Sequence, residues 1–408
     1  MAITNTAASY GAITKLFHWL TALLIFTAFP LGLIASDLAH QISDASTDVS
    51  QSTVDRAALL FSLHKTIGVS IFLVALARIL WAFGQRKPGL LNGDNTLEAW
   101  AAETVHWLLY GSLLAVPLTG WVHHAATTGF APIWWPFGQT LPFVPRNQMV
   151  SEVAAALHYI LQWVLLGAIT LHIAGAMKHH FVDGDATLRR MLPGRLDGMP
   201  SDRQPNHVLP FLTALAIWAA ALGGGAMLGW FAPPEQTLRS TRLQAVESDW
   251  KVQSGTLTIE VMQMGSTVTG QFNEWTADIT YAESPDSNGR HGDVTVTIAV
   301  PSLELGSVTD QAMGADFLAA ESHPTATFTG DIFSGEKKHV ARGSLTIKDR
   351  SIPLDLTFTL DIKDQMATAE GSVTVDRRDF GIGMDTKDPS TLGFSVTVNF
   401  KVKASRAD

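Results

Sequence analysis

The sequence predicts a two-part membrane protein: an all-α transmembrane helical bundle of four helices plus a fifth, followed by an all-β antiparallel barrel. Three observations carry that reading. Of 408 residues, 47% are apolar and only 16% charged, too few charges for an ordinary soluble surface. The long apolar runs are confined to residues 16–231. From Leu243 onward the apolar period changes to two. The divisions fall at 1–200 for the helical domain, 201–242 for the fifth helix and linker, and 243–408 for the β-domain.

Five segments can cross a hydrocarbon core, which takes roughly 20 helical residues. They lie near 16–36, 58–83, 104–123, 153–177 and 209–231. The first could be taken for a secretory leader, but its apolar stretch from Leu16 to Ala35 is longer than a leader's core, so it reads as an uncleaved helix. Orientation follows from the basic residues of the short loops. Arg86 and Lys87 follow the second segment, and Lys178, Arg189, Arg190, Arg195 and Arg203 follow the fourth. The intervening loops carry only Arg56 and Arg146, and the first is acidic through Asp37, Asp44, Asp48 and Asp55. The N-terminus is therefore expected in the cytoplasm and the β-domain outside, with Arg239 and Arg242 as minor counterweights. The fifth segment holds Gly223, Gly224 and Gly225 and no titratable group, so it reads as a connecting anchor, stopped by Pro233 and Pro234.

The chain has no cysteine, which excludes thioether-attached haem, cysteine-ligated iron–sulfur clusters, zinc–thiolate sites and disulfides. A net charge of −9 gives no reason to expect nucleic acid as a partner. Fourteen histidines remain as candidate metal ligands. An imidazole inside hydrocarbon is costly and commonly marks a function. His158 and His172 are 14 residues apart on the fourth segment. That is about four turns, so they share a face and lie roughly 21 Å apart along the axis. The predicted topology puts His158 level with His64 near the outer surface, and His172 level with His18 near the inner one. Two pairs at two depths suit two stacked haem b groups, each held non-covalently by two histidines. Any one of these residues alone reads better as a satisfied polar group; the argument rests on the paired arrangement.

Other residues divide between readings. His106 and the His123–His124 pair compete as ligands because they also lie near membrane ends, whereas His179 and His180 read as solvated. Gly68, one turn from His64, would let a porphyrin approach the backbone, or would serve ordinary helix packing. Arg78 would pair with a haem propionate, or snorkel to the interface. Trp134, Trp135, Pro136 and Phe137 suit an aromatic belt, or the wall of a quinone site.

In the β-domain Leu257, Ile259 and Val261 alternate with polar residues, as do Val294 to Val300, Leu354 to Ile362 and Phe394 to Val402. Asn288-Gly289 and Ser334-Gly335 mark turns, and a helical piece spans about 309–318. An up-and-down barrel able to hold one apolar ligand fits this count. His291, His323 and His339 are scattered and read as solvated surface groups.

Residues 12–196 resemble the bacterial cytochrome b561 family and its relatives among hydrogenase b-type subunits. The resemblance rests on Phe17-His18-Trp19-Leu20, His64 with Gly68 and Arg78, Pro117 with Gly120, and Trp135-Pro136-Phe137-Gly138 leading to Leu141-Pro142. It continues through His158, His172 and the run from Asp185 to Pro193. It implies a four-helix di-haem core ligated by His18, His64, His158 and His172, in a bacterial inner membrane. It also implies electron exchange with ubiquinone or another quinone and, in some members, oxidation of superoxide. Tyr159 follows His158 where the family often has lysine. Residues 250–403 resemble the YceI family of lipocalin-like isoprenoid binders, through Val268-Thr269-Gly270-Gln271-Phe272, Asp316-Phe317-Leu318 ahead of Ser322-His323-Pro324, Gly343 to Lys348, and Arg378-Asp379-Phe380-Gly381-Ile382. Asp349-Arg350 stand where that family has a glycine. This resemblance implies a periplasmic barrel for a polyprenyl chain, with Phe272, Trp275, Phe317 and Phe328 as candidate lining residues.

The expectation is a quinone-linked membrane oxidoreductase whose partners are the lipid bilayer and a quinone or isoprenoid ligand; a homodimer is compatible with the sequence. A histidine-based metal or proton transporter and a lipid carrier merely anchored by helices are the rivals, and haem content separates all three.

Overall fold

The computed structural model describes residues 2–43, 50–127, 131–194, 199–204, 206–232, 243–244, 246–335 and 338–407. Asp44, Asp48, Arg195, Pro233, Pro234, Arg239 and Arg242, used above, lie outside the described residues. The chain divides into two compact units, one built mainly from the helices and one containing the β-domain.

The helical unit is carried by α1 (Ala12–Ser43), α2 (Gln51–Phe83), α3 (Thr96–Ala126), α4 (Gln148–Phe181) and α5 (Val208–Met227). All five are long and apolar enough to cross a membrane. Helices α1 to α4 run past the apolar segments read from the sequence, because Asp37, Asp55, Glu98 and Lys178 extend them with polar turns that need no hydrocarbon. The first four meet through small and branched residues, Ala28 on α1, Ile71 and Ala75 on α2, Leu113 and Val116 on α3, Leu161 and Leu165 on α4. Leu16, Leu23, Phe26, Leu80 and Leu171 are exposed on the outside, a surface that only lipid would cover without cost. Asn147 caps α4, its side-chain oxygen accepting from the Val150 amide at 3.1 Å. Helix α5 packs on α3 and α4. Trp218 sits on the notch left by Gly111 and donates to Ser112 Oγ at 3.1 Å. Of the glycine triplet only Gly225 is closely packed: a Cβ there would meet Ile160, whereas Gly223 and Gly224 face open space.

The β-domain is a ten-stranded antiparallel sheet in the order β3-β4-β6-β7-β8-β9-β10-β1-β2-β5. Its strands are β1 (Trp250–Gln263), β2 (Ser266–Phe272), β3 (Trp275–Tyr281), β4 (Arg290–Ala299), β5 (Leu303–Glu304), β6 (Thr325–Ser334), β7 (His339–Ile347), β8 (Arg350–Lys363), β9 (Met366–Asp376) and β10 (Leu392–Arg406). The expected antiparallel barrel is present as a curled half-barrel. β10 pairs back to β1, and β3 and β5 are its two edges. Trp275 of β3 packs on Gly255 of β1, where a Cβ would lie 2.7 Å from the indole, so side-chain packing rather than a ladder draws the curl together. The first strand starts at Trp250, seven residues after the change of period at Leu243. The expected helical piece is only α6, Thr309–Met313, since Gly314 ends it. Lys348, with φ 56°, makes the two-residue turn into β8 where a glycine is usual.

Candidate functional site

The His64–His158 pair, expected at the outer level, is built by a device used twice. The His64 and His158 rings lie 6.2 Å apart between centroids and are nearly perpendicular. His64 Nδ1 is 2.8 Å from the Ala28 carbonyl on α1, and His158 Nδ1 is 2.8 Å from the Val116 carbonyl on α3. A carbonyl only accepts, so each Nδ1 carries the proton and each Nε2 keeps its lone pair. Metal-binding imidazoles are commonly oriented in this way. One turn beyond each carbonyl stands a glycine. A Cβ on Gly32 would fall 2.7 Å from His64 Cε1, and one on Gly120 2.9 Å from His158 Nδ1. The missing side chains are what allow each ring to reach the neighbouring helix. Gly120 was visible as part of a motif; Gly32 was not.

In the pair expected at the inner level, the His18 and His172 rings are 6.0 Å apart. His106 stands closer to His172, at 5.3 Å, and stacks on Tyr110. The Arg78 guanidinium lies 5.5 Å from the Tyr110 ring centre, beside this group rather than out at the lipid edge. Arg190, counted from the sequence only as a topology signal, is 4% exposed. Its Nη1 donates to the Gly89 carbonyl at 2.9 Å and its guanidinium lies over Tyr10. Its Nε and Nη2 are buried with no partner among the described residues. Buried guanidinium donors without a partner call for an anion.

These residues fit a haem. Two imidazoles that held one metal would each put a ring centre about 3.2 Å from it, a bond of about 2.05 Å plus roughly 1.15 Å from nitrogen to ring centre, so their centroids would lie no more than about 6.4 Å apart. Both observed separations approach that value. The space beside Gly68 is open, with nothing within 4 Å of where its Cβ would be.

The remaining histidines sort by environment. His123 Nδ1 is 3.0 Å from the Ser151 carbonyl, and His124 packs against His123 with ring centres 4.5 Å apart. The loop after α3 is strapped over them by bonds from the Trp134 amide to Thr66 Oγ1, Trp121 Nε1 to the Gly138 carbonyl, and Gln139 Nε2 to the His124 carbonyl. Trp135 on that loop is 89% exposed. His179 is not solvated as expected: only 13% of its side chain is exposed, and Nδ1 lies 2.7 Å from Asp185 and 3.0 Å from Asp183. The acidic residues that fold back after α4 cover it.

The curled sheet encloses a cavity of about 350 Å³, within the usual range of ligand pockets (~300–1,000 Å³). Its walls are almost wholly apolar, and Phe272, Trp275, Phe317 and Phe328 all line it. Phe394, expected on the inner face with Val396, lies instead under the guanidinium of Arg378. Arg377, 2% exposed, closes one part of the wall by donating to the carbonyls of Gly393, Ile382, Gly383, Thr386 and Leu392. Two of the three supposedly solvated histidines are not solvated. A bulge between Arg290 and Gly292 turns His291 inward to 7% exposure, and His339 packs on Phe358 and Tyr281. Only His323, beside the exposed Asp349 at 3.6 Å, matches the expectation of a surface histidine.

Residues 9–194 match the family model for prokaryotic cytochrome b561, and residues 242–404 match that for the YceI-like domain. Cytochrome b561 homolog 2 of Escherichia coli (strain K12) is 32% identical over 196 residues, which cover 47% of this chain and 95% of that protein. The probable superoxide oxidase CybB of Yersinia pestis is 27% identical over 132 residues, covering 32% of this chain and 73% of that one. Among solved structures, Burkholderia cenocepacia BcnA is similar at 26% identity with a TM-score of 0.35, covering 37% of this chain and 96% of its own.

Proposed function

The chain belongs to the prokaryotic cytochrome b561 family and carries a YceI-like domain, and from that premise we propose that it passes electrons between a quinone and a second redox partner through two haems, ligated by His18 with His172 and by His64 with His158. Family membership makes it a b-haem protein of a bacterial membrane. Superoxide is a candidate second partner, suggested by the name of the Yersinia pestis relative. The observation that carries the proposal is the pair of imidazole couples at 6.0 and 6.2 Å, the outer one with both Nδ1 atoms committed to backbone carbonyls.

Haem, when bound, supplies one-electron carriage between the two levels. The residues do the rest. Ala28 and Val116 carbonyls hold the protonated Nδ1 of His64 and His158 and leave each Nε2 with its lone pair for a metal. Arg78 and the unpartnered nitrogens of Arg190 provide positive charge for carboxylates at the inner level, where an uncompensated anion would be costly. At the outer level His123, whose Nδ1 lies 2.9 Å from Ser151 Oγ and 3.0 Å from the Ser151 carbonyl, is the residue that takes a proton released by a quinol. The β-domain binds an isoprenoid in its apolar cavity and, on the reading of the basic loops, lies on the periplasmic side.

His106 offers a second reading of the inner couple, because it is nearer His172 than His18 is. Haem per chain and the reduced spectra of single variants decide these points. The wild type is expected to hold two haems. His158→Ala should lose the outer one and His172→Ala the inner one. Loss of the inner haem in His106→Ala but not in His18→Ala would reassign that ligand. Two haems retained in all four variants at positions 18, 64, 158 and 172 would overturn the proposal.

A further inference from the structure

Three rings meet at one corner of the β-domain, from the end of β3 (Tyr281), the start of β4 (His291) and the start of β7 (His339). Of the three only Tyr281 lines the apolar cavity. Their centres are 5.3 Å apart for Tyr281 and His291, 5.7 Å for the two histidines and 5.8 Å for Tyr281 and His339. His291 Nδ1 is 2.8 Å from the Ala282 carbonyl, an acceptor only, so Nδ1 carries the proton and Nε2 keeps its lone pair. That Nε2 is buried without a partner among the described residues. Strand order gives its direction: Ala282 follows β3 on one side of β4, and β6 and β7 lie on the other. With Nδ1 turned toward β3, Nε2 on the far edge of the ring is turned toward His339. The same device serves His64 and His158, where a backbone carbonyl takes the Nδ1 proton. Arg290, next in sequence, brings no free charge to the corner, being engaged by Asp293 and Asp331 at 2.6 Å each.

We propose that His291 Nε2, His339 Nε2 and the Tyr281 oxygen form a second metal centre, a site for a divalent transition ion of the copper(II) or zinc(II) class. Two separate distances suit one ion. Ring centres 5.7 Å apart, each about 3.2 Å from a shared ion, subtend about 125° there, an angle for a four-coordinate ion rather than for the trans couple of a haem. The Tyr281 hydroxyl is 3.0 Å from His339 Nε2, and two donors held at about 2.05 Å by one ion lie about 2.9 to 3.3 Å apart. Imidazole donors suit both ions, and copper(II) binds such sets the more tightly. The ion accepts the lone pairs of both Nε2 atoms and of the Tyr281 oxygen, whose proton passes to water, and a water molecule completes the four. Bound there, it ties β3, β4 and β7 together at one corner of the sheet, whatever the cavity holds.

The test is equilibrium dialysis of the full haem-loaded chain in nanodiscs, stripped with a chelator, against copper(II) or zinc(II) chloride. Electron paramagnetic resonance then reads the copper form apart from low-spin ferric haem. Wild type should hold an ion whose copper signal is split by two imidazole nitrogens, and copper should raise the melting temperature of the β-sheet signal. His291→Phe and His339→Phe, which keep a ring in each place, should each lose that ion and that rise. Tyr281→Phe keeps the ring that stacks on His291 and so guards against a folding defect in the histidine variants. It should keep the nitrogen splitting and lose the phenolate-to-copper absorption seen in the wild-type difference spectrum. Failure of wild type to bind either ion overturns the inference. A copper signal unchanged in all three variants overturns it too, by placing the ion elsewhere, for instance among Glu98, His179 and Asp183, whose ligand atoms lie within 4.8 Å of one another. Persistence of the phenolate absorption in Tyr281→Phe removes the tyrosine ligand and with it the proposed three-residue centre.

Discussion

Replacing Gly120 by alanine places a methyl carbon 2.9 Å from His158 Nδ1 and 3.0 Å from Cε1. Ordinary carbon contacts settle at about 3.5 Å or more, so the ring must retreat by roughly 0.6 Å. The Nδ1 to Val116 bond, now 2.8 Å, cannot survive such a shift in its direction: near 3.4 Å and off axis it falls outside useful hydrogen-bond geometry. An orienting partner of this kind is worth about 10- to 100-fold in metal affinity, or about 1.4 to 2.8 kcal/mol. Gly32→Ala should act alike on His64, where the clash distance is 2.7 Å. The two changes meet at one proposed haem, so the double variant should lose less than the sum of the singles. The assay is haem titration of purified apoprotein, following the outer haem by its midpoint potential and reduced absorption band. Gly223→Ala, with nothing within 4 Å of its Cβ position, is the control and should titrate as wild type. Wild-type affinity and potential for both Gly32→Ala and Gly120→Ala would refute the claim that these glycines admit the ligand rings.

Two further outcomes follow from other parts of the molecule. Alkaline phosphatase fused after Asp408 should be active, because the basic loops after α2 and α4 predict a periplasmic C-terminus; a silent enzyme, with fluorescence from a green-protein fusion at the same point, would reverse the topology. The β-domain should also lose stability as pH falls below about 6.5. Burial, and secondarily the nearby His291, hold His339 below the ordinary imidazole value. The unfolded chain therefore binds a proton that the folded one does not, and stability rises with pH through that window. The melting temperature of the β-sheet signal should drop between pH 7.5 and 5.5, and His339→Phe should lessen the drop; an unchanged slope in that variant would remove His339 as the cause.

The helical half was legible because its determinants are local. An apolar run marks a span, and 14 residues between His158 and His172 fix their shared face without knowledge of any neighbour. The alternation of Leu354 to Ile362 likewise fixed the cavity face of β8 in advance. What the sequence hid depends on partners far along the chain. Gly32 looks like any glycine in a membrane helix until His64 is set against it. The two unpartnered nitrogens of Arg190 carry no signature in a basic loop that already had a topological explanation. His291 and His339 are 48 positions apart, and only the β4–β6–β7 register, together with a bulge that reverses the alternation at one residue, brings them to one corner.

The carbonyls of Ala28 and Val116 deserve a last consequence. Both acceptors belong to the main chain, so no change of side chain at either position deletes them. Substitutions at positions 28 and 116 act through packing in the helix core and leave the anchoring acceptors in place. A mutational scan for function would thus register these two positions as packing sites and would tie only Gly32, Gly120 and the histidines to the imidazoles. The contact that sets the ligand tautomer would leave no trace in such a map, and only replacing the amide itself, for instance by an ester that weakens the carbonyl as an acceptor, would expose it.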